Sequence, residues 1–438
     1  MRKNILSTLV ALAVISPLTG YASNTAPDAA DHLAAVPATT ATANPAKASP
    51  VASAGMVVDS FSGPVTANEI NSFKSYIQTL VPATDNIGNE WAQGPSGEQT
   101  KAMGLVYEIT GDRAILDKMI VFCDSVLSER NDLAAAPVGQ HKIWTGGVDP
   151  VWPNDLSVTP IGTGGEQGDS VGHLGYCARL ILSTPAIWHL KVGGGDPNNF
   201  GADYFSRAKK YVEQADYSID HHIFKSLLNL SNHNLYYFSP ASPYKSGEPV
   251  PWNQQMMFNY ALQNLAKSHE ILGDDPARAT KYNAIVSANF ASFFASGVTS
   301  YVSNQGREVY DWAYALPNKG NEDSNHGSLD IAGFYRAYMA GGYGVSKVEM
   351  TKFANTFVDE MDRGPRDYSG RVNGTDGTGH GAPTTYIRSG YLLLAEFAPL
   401  QYQDMMGADL AVGKATPKID QFSRFLWVKN QRYIKKAR

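Results

Sequence analysis

"MGLVYEITGDRAILDKMIVFCDSVL" (103–127) and "LAKSHEILGDDPARATKYNAIVSANF" (265–290) decide how the chain is read. In each, apolar residues recur at helical spacing, the run ends in Glu-Ile-x-Gly-Asp, and a second amphipathic run begins at once. Gly111 and Gly273 suit the left-handed position after a helix, and Asp112 and Asp274 suit the N-cap of the next. Both stretches are therefore helical hairpins. Weaker copies run from Gly168 to Asp220 and from Ser324 to Met361, and Thr384 to Phe397 begins another.

Long loops rich in Gly, Pro, Trp and Asn separate the hairpins at 131–167, 231–252 and 297–324. Hairpins recurring every fifty residues or more fit an α/α toroid or a helical solenoid. Long loops favour the toroid, because loops gathered at one end of a ring of inner helices build a cleft. The expectation is an all-α fold, an (α/α)n toroid or incomplete barrel of hairpins with long loops at one end. Strand signals are sparse, with room for short strands inside the loops.

Residues 1–22 read as a signal peptide: Arg2 and Lys3 precede an apolar run from Ile5 to Leu18, and Gly20-Tyr21-Ala22 offers a small-residue cleavage site. That run is too short for a membrane span. Residues 23–55 are Ala, Thr, Pro and Ser with hardly a large apolar side chain, a composition that cannot bury enough surface to order itself. Residues 56–438 are then one catalytic domain, and the mature protein is expected to be periplasmic or secreted. Removing the signal takes away two bases and no acid, so the net charge goes from −5 to −7. That argues against nucleic acid and an anionic membrane surface as partners. Cys123 and Cys177 lie in separate apolar helices, where they either pair or stay as buried thiols.

The openings of the inner helices hold a dense stock of polar and aromatic groups: Trp91, Glu98 and Gln99; Glu166, Asp169 and His173; Trp252, Asn253 and Gln254. Flat apolar faces beside amides and carboxylates are what sugar rings require. Each Trp can equally plug a toroid end, and each Asn or Asp can simply cap its helix. The stretch "NEDSNHGSLDIAGFYRAY" (321–338) places Glu322 and Asp323 ahead of Asn325 and His326, with Asp330 one turn on to orient the imidazole. The small Gly333 and Ala337 below the His let a neighbouring helix approach. A second Asn-His pair, Asn232-His233, precedes Tyr236 and Tyr237, and Arg307, Tyr310, Trp312 and Tyr314 lie just upstream of Glu322. Arg388 opens the last hairpin and can reach a substrate carboxylate or a neighbouring acid.

Such groups suit removal of the C5 proton of a uronate. Hydrogen bonds or positive charge on the C6 carboxylate stabilise the enolate-like state, and His or Tyr moves the protons. On these residues the chain resembles the α/α-toroid polysaccharide lyases that cleave alginate or glucuronan, most of all those of polysaccharide lyase family 38. The resemblance implies His233 or His326 as base or neutraliser, Asn325 as carboxylate partner, Arg307 as charge stabiliser and Tyr310 or Tyr314 as proton donor. Trp91, Glu98, His173, Trp252, Asn253, Gln254, Trp312, Glu322 and Arg388 then bind an acidic polysaccharide, with no cofactor and no metal ligand set among these groups. The rival is a glycoside hydrolase on the same toroid, drawing a carboxylate pair from Glu98, Glu166, Asp169, Glu322 and Asp323. A binding protein without chemistry is a third reading. The glycine-rich "GTGGEQGDSVGH" (162–173) and "NGTDGTGHG" (373–381) are read as cleft-edge loops, since neither follows a strand and opens a helix as a phosphate loop must.

Overall fold

The computed structural model describes residues 55–317 and 321–437. The expected signal peptide and most of the linker lie outside these residues. Met56–Val57 (β1) leads to α1 (Ala67–Gln78), the one-turn α2 (Gly88–Ala92), and the first hairpin, α3 (Pro95–Thr110) with α4 (Arg113–Ser128). Then come α5 (Glu166–Leu182) with α6 (Tyr204–Ser218), and α7 (Trp252–Leu272) with α8 (Pro276–Ser292). The chain continues through α9 (Ser324–Ala340), α10 (Lys347–Thr356), α11 (Ser389–Leu392), α12 (Tyr402–Gly407) and α13 (Ile419–Ala437).

Six of these make a closed ring. α3 packs on α5, α5 on α7, α7 on α9, α9 on α11, α11 on α13, and α13 returns to α3. The second helices lie outside: α4 packs against α3 and α5, α6 against α5, α8 against α7, and α10 against α9. This is the all-α toroid expected from the hairpin pattern. At the hairpin corners Gly111 and Gly273 adopt φ of 62° and 66°, a left-handed turn that glycine enters without steric cost. Asp112 caps α4 through Ala114 N–H at 2.9 Å. Asp274 does not cap α8: Asp275, directly before Pro276, takes that position through Arg278 N–H at 2.9 Å, and Asp274 instead meets His269 Nδ1 at 2.8 Å.

Glycine sets the spacing of the inner ring. A Cβ on Gly104 of α3 would run into the Tyr176 ring of α5, and one on Gly172 of α5 into the Tyr260 ring of α7. A Cβ on Gly168 would sit 2.5 Å from Phe258 N and 2.6 Å from Met257 C, both α7 backbone atoms. Gly333 of α9 faces Met256 of α7, and Gly390 of α11 faces the Ser328 backbone of α9. Residues 166–173 are thus helix, not a cleft-edge loop, and their glycines form a contact stripe.

After α6 and α8 the helix widens into a π-helical end (219–227 and 293–297) and runs into a two-stranded hairpin. The first hairpin joins β2 (Leu228–Asn229) to β3 (Tyr237–Phe238), and the second joins β4 (Val298–Val302) to β5 (Glu308–Trp312). Each hairpin returns the chain toward the start of the next inner helix. The first and last described segments are tied by β1 pairing with β6 (Ala415–Thr416), and by Lys429 Nζ on α13 lying 2.7 and 2.8 Å from the two oxygens of Glu69 on α1, a buried ion pair. Cys123 and Cys177 are buried free thiols, with Cys123 Sγ 3.5 Å from the His173 carbonyl. No helix of the described residues is long and apolar enough to cross a membrane.

Because Gly168 meets backbone that cannot swing aside, Gly168→Ala is expected to cost about 1–3 kcal/mol through overpacking of α5 on α7. Urea unfolding followed by circular dichroism should show a lower midpoint with an unchanged m-value.

Candidate functional site

Asp323 is the N-cap of α9 and divides its two oxygens. Oδ1 accepts from Asn325 N–H and His326 N–H, both at 2.9 Å, and Oδ2 lies 2.6 Å from His326 Nδ1. Burial works to raise its pKa, but the His326 contact and the two N–H groups outweigh it and hold the carboxyl below the usual range. Neither Asn325 nor His326 closes the helix. The imidazole is oriented by the aspartate three residues before it, not by Asp330, so Nε2 points away from the cap.

Around that imidazole the N-terminal ends of α5, α7, α9 and α11 converge. The Tyr314 ring lies 4.9 Å from that of His326, and the His380 ring 5.4 Å. Lys245 Nζ stands 4.9 Å from the Tyr314 ring centroid and 5.8 Å from that of Tyr244. Gln254 Nε2 donates to Tyr244 Oη at 2.8 Å, and a Cβ on Gly164, just before α5, would stand 3.2 Å from the Tyr244 ring. On the far side, Arg388 Nη1 donates to Asn325 Oδ1 at 2.9 Å and to Tyr386 Oη at 3.2 Å, and its Nε to Ser324 Oγ at 3.3 Å. Tyr314, Lys245, Gln254, Asn325 and Arg388 are all partly exposed, so these side chains reach solvent around the buried His326. Segment 370–372 pairs beside 322–324, with Ser324 N–H to Gly370 O at 2.8 Å and Val372 N–H to Glu322 O at 3.0 Å. That pairing brings the loop carrying His380 to the site.

Beneath the cap lies a buried acidic layer. Glu322 is fully buried; Oε1 accepts from Asp323 N–H at 2.9 Å, and Oε2 has no partner among the described residues. Burial, then the neighbouring Asp330 and Asp323, push its carboxyl well above the usual range. Asp330 Oδ2 accepts from Trp312 Nε1 at 2.9 Å, and burial pushes Asp330 up to about 7 against that bond. Glu322, Asp323 and His326 bring donor atoms within 4.8 Å of one another, a set that fits a divalent cation, although Asp323 and His326 already satisfy each other.

Several residues chosen from the sequence lie elsewhere. His233 is exposed on a left-handed turn (φ 54°), and the next residue's carbonyl accepts from Asn289 of the outer helix α8. Arg307 is paired with the buried Asp359 at the tip of the β4–β5 hairpin, so its charge is already spent on a structural pair. Tyr310 is buried against Phe294 and Phe353 and lies under Lys352. Trp91, Trp252 and Trp312 are buried core plugs, packed on His173, Phe293 and Phe353, and offer no face to a sugar. His173 bonds Trp91 O at 2.6 Å and lies 3.3 Å from Tyr260 Oη; burial drives it down to about 3, so it is neutral. Asn253 and Glu322 are buried, and Glu322 accepts from the Asp323 N–H beneath the cap. Glu98 faces a separate cavity, inside the ring, beside Lys101 and Arg424. The structure therefore unites Tyr314, Asn325, His326, Gln254 and Arg388 with Asp323, read from the sequence as a cap or one of a carboxylate pair, and adds Lys245, His380 and Tyr386. Only Asp323 had a local signal, an acid three residues before the His at a helix start.

No protein-family model and no curated protein matches the chain. Among solved structures it is similar to a glycoside hydrolase family 76 (mannosidase) from Bacteroides thetaiotaomicron VPI-5482, at 11% identity and a TM-score of 0.38, covering 78% of this chain and 70% of that one. It is also similar to a glycosyl hydrolase family 88 protein from Bacteroides vulgatus, at 11% identity and a TM-score of 0.37, covering 84% and 99%. At this level the similarity says nothing about chemistry.

The buried acids give a pH signature. Asp330 binds its proton more tightly folded than unfolded, so its ionisation lowers stability as pH rises from about 4, its unfolded value, towards about 7, its folded value. Asp330→Asn keeps an acceptor for Trp312 and removes the titration. Thermal unfolding should show the variant gaining on wild type between pH 4.5 and pH 8, by about 1 kcal/mol or more; a pH-independent difference would contradict it.

Proposed function

We propose that the protein is an exported enzyme that cleaves a uronate-containing polysaccharide by β-elimination in the cleft at the start of α9. One observation carries this reading: an imidazole oriented by Asp323 lies beside the Tyr314 phenol, with the Arg388–Asn325 pair on the first turn of the same helix. Arg388 and Asn325 hold the C6 carboxylate, and their hydrogen bonds lower the cost of charge at C5. His326 or Tyr314 takes the C5 proton. The electron pair left behind forms the C4–C5 double bond, the C4–O4 bond breaks, and the departing oxygen receives a proton from the phenol. Lys245 over the Tyr314 ring favours the phenolate that this transfer leaves. Arg2, Lys3 and the apolar run from Ile5 to Leu18 support export.

Hydrolysis of the same class of polymer is the second reading. Glu166, at the start of α5, is raised by burial as a general acid should be, while Asp323 is held ionised. Against it, Glu166 is only 6% exposed and Asp323 is already bonded to the cap and the imidazole.

Incubation with glucuronan, alginate and other uronate polymers separates the two. Elimination leaves an unsaturated end that absorbs in the ultraviolet, whereas hydrolysis yields reducing ends without that absorbance. His326→Ala and Tyr314→Phe are each expected to lower kcat by about 10²–10⁴ with the helical circular dichroism retained, and Glu166→Gln to leave the ultraviolet signal in place. Reducing ends alone, lost on Glu166→Gln, would overturn elimination in favour of hydrolysis.

A further inference from the structure

The inner ring encloses a cavity of about 560 Å³. Its walls come from α3, from the C-terminal halves of α5, α7 and α9, and from the start of α13. Its rim holds the exposed Met339, Ala340 and Gly341 at the C-terminal end of α9, so it opens at the end of that helix opposite the Asp323–His326 cleft. The volume lies within the range of small-ligand sites.

The charges lining it are paired, with one exception. Lys101 lies 2.9 Å from Asp169 and 3.5 Å from Glu98. Arg179 reaches Glu108 and Asn264, each at 2.6 Å, and Lys267 reaches Glu270 at 3.1 Å. Arg424 lies 3.4 Å from Glu98 and bonds Ser389. Arg336 has no hydrogen-bond or ion-pair acceptor among the described residues. Its guanidinium is held 4.2 Å above the Tyr260 ring centroid, which fixes its plane and leaves its donor edge free. Burial pulls this guanidinium below its ordinary pKa, so an arriving anion offsets a desolvation penalty already incurred. Gln263 also lines the cavity, and its side-chain carbonyl has no donor partner among the described residues. A fixed fork of N–H donors matches a carboxylate in a planar, two-point contact, and the unpartnered Gln263 carbonyl suits a sugar hydroxyl.

We propose that this cavity is a second binding site, for a small carboxylate-bearing sugar held by Arg336 over Tyr260. It stands independently of the reading given to the cleft.

The test is calorimetric titration of the full chain with sodium glucuronate, glucose and inorganic phosphate. Glucuronate is expected to fill a site that glucose does not occupy in the same concentration range. Arg336→Gln should weaken it about tenfold or more, the loss of a charge-assisted hydrogen bond. Arg336→Lys should recover only part, because the fork is gone. Unchanged binding in Arg336→Gln, no binding to wild type, or phosphate binding as tightly as glucuronate would each overturn the assignment. Should Arg336→Gln lose its helical signal, Met339→Trp at the mouth carries the test: it should abolish binding, and retained binding would overturn the proposal.

Discussion

Everything in this structure depends on how closely the inner helices approach one another. Glycine sits at successive contacts round most of the ring: Gly104 under Tyr176, Gly168 and Gly172 against α7, Gly333 under Met256, and Gly390 on the α9 backbone. With a methyl group at these points the helices would stand apart, and the ring could not keep both its closure and its dry core. Glycine in a helix interior costs about 1 kcal/mol in propensity, and close burial of Tyr176, Tyr260 and Met256 offsets it.

That spacing also places the cleft. Four inner helices begin at one end, so the groups just before and just inside their first turns fall around one space. Asp323 shows how one side chain there serves both structure and site: one oxygen closes α9 and the other fixes the imidazole. Below it Glu322 and Asp330 are raised by burial, so the layer under the cap carries less negative charge than its composition implies. Asp323 is held ionised because His326 and two N–H groups attend it, while Glu322 receives one N–H. Three acids within nine residues thus take different states through their partners, not their type.

The ring's interior repeats the same logic with charge. Among the described residues, each cation lining the cavity has its acid or amide except Arg336, which has an aromatic face instead. A guanidinium held flat over a ring is oriented without being neutralised. The two ends of α9 therefore hold differently built polar sites, one organised by a carboxylate and the other around an unpaired cation.

By itself the sequence determined the helical hairpins, their left-handed glycine corners and the toroid, because those features rest on local spacing and on backbone freedom at single residues. It also made the start of α9 legible as a polar helix opening, since capping is read within four residues. Tertiary structure alone decided which of the chemically similar residues meet. Asn232-His233 and Asn325-His326 are the same dipeptide, yet one sits on an exposed turn beside an outer helix and the other heads an inner helix. Arg307 and Arg388 carry the same side chain, but the buried Asp359, fifty-two residues from Arg307 in the chain, claims the first and leaves the second to Asn325. Trp91, Trp252 and Trp312 looked like sugar platforms and are core plugs, because burying a large ring against an inner helix releases more apolar surface from water than leaving it at the cleft. Composition supplies the groups; long-range packing, which no local pattern encodes, selects which of them share a space.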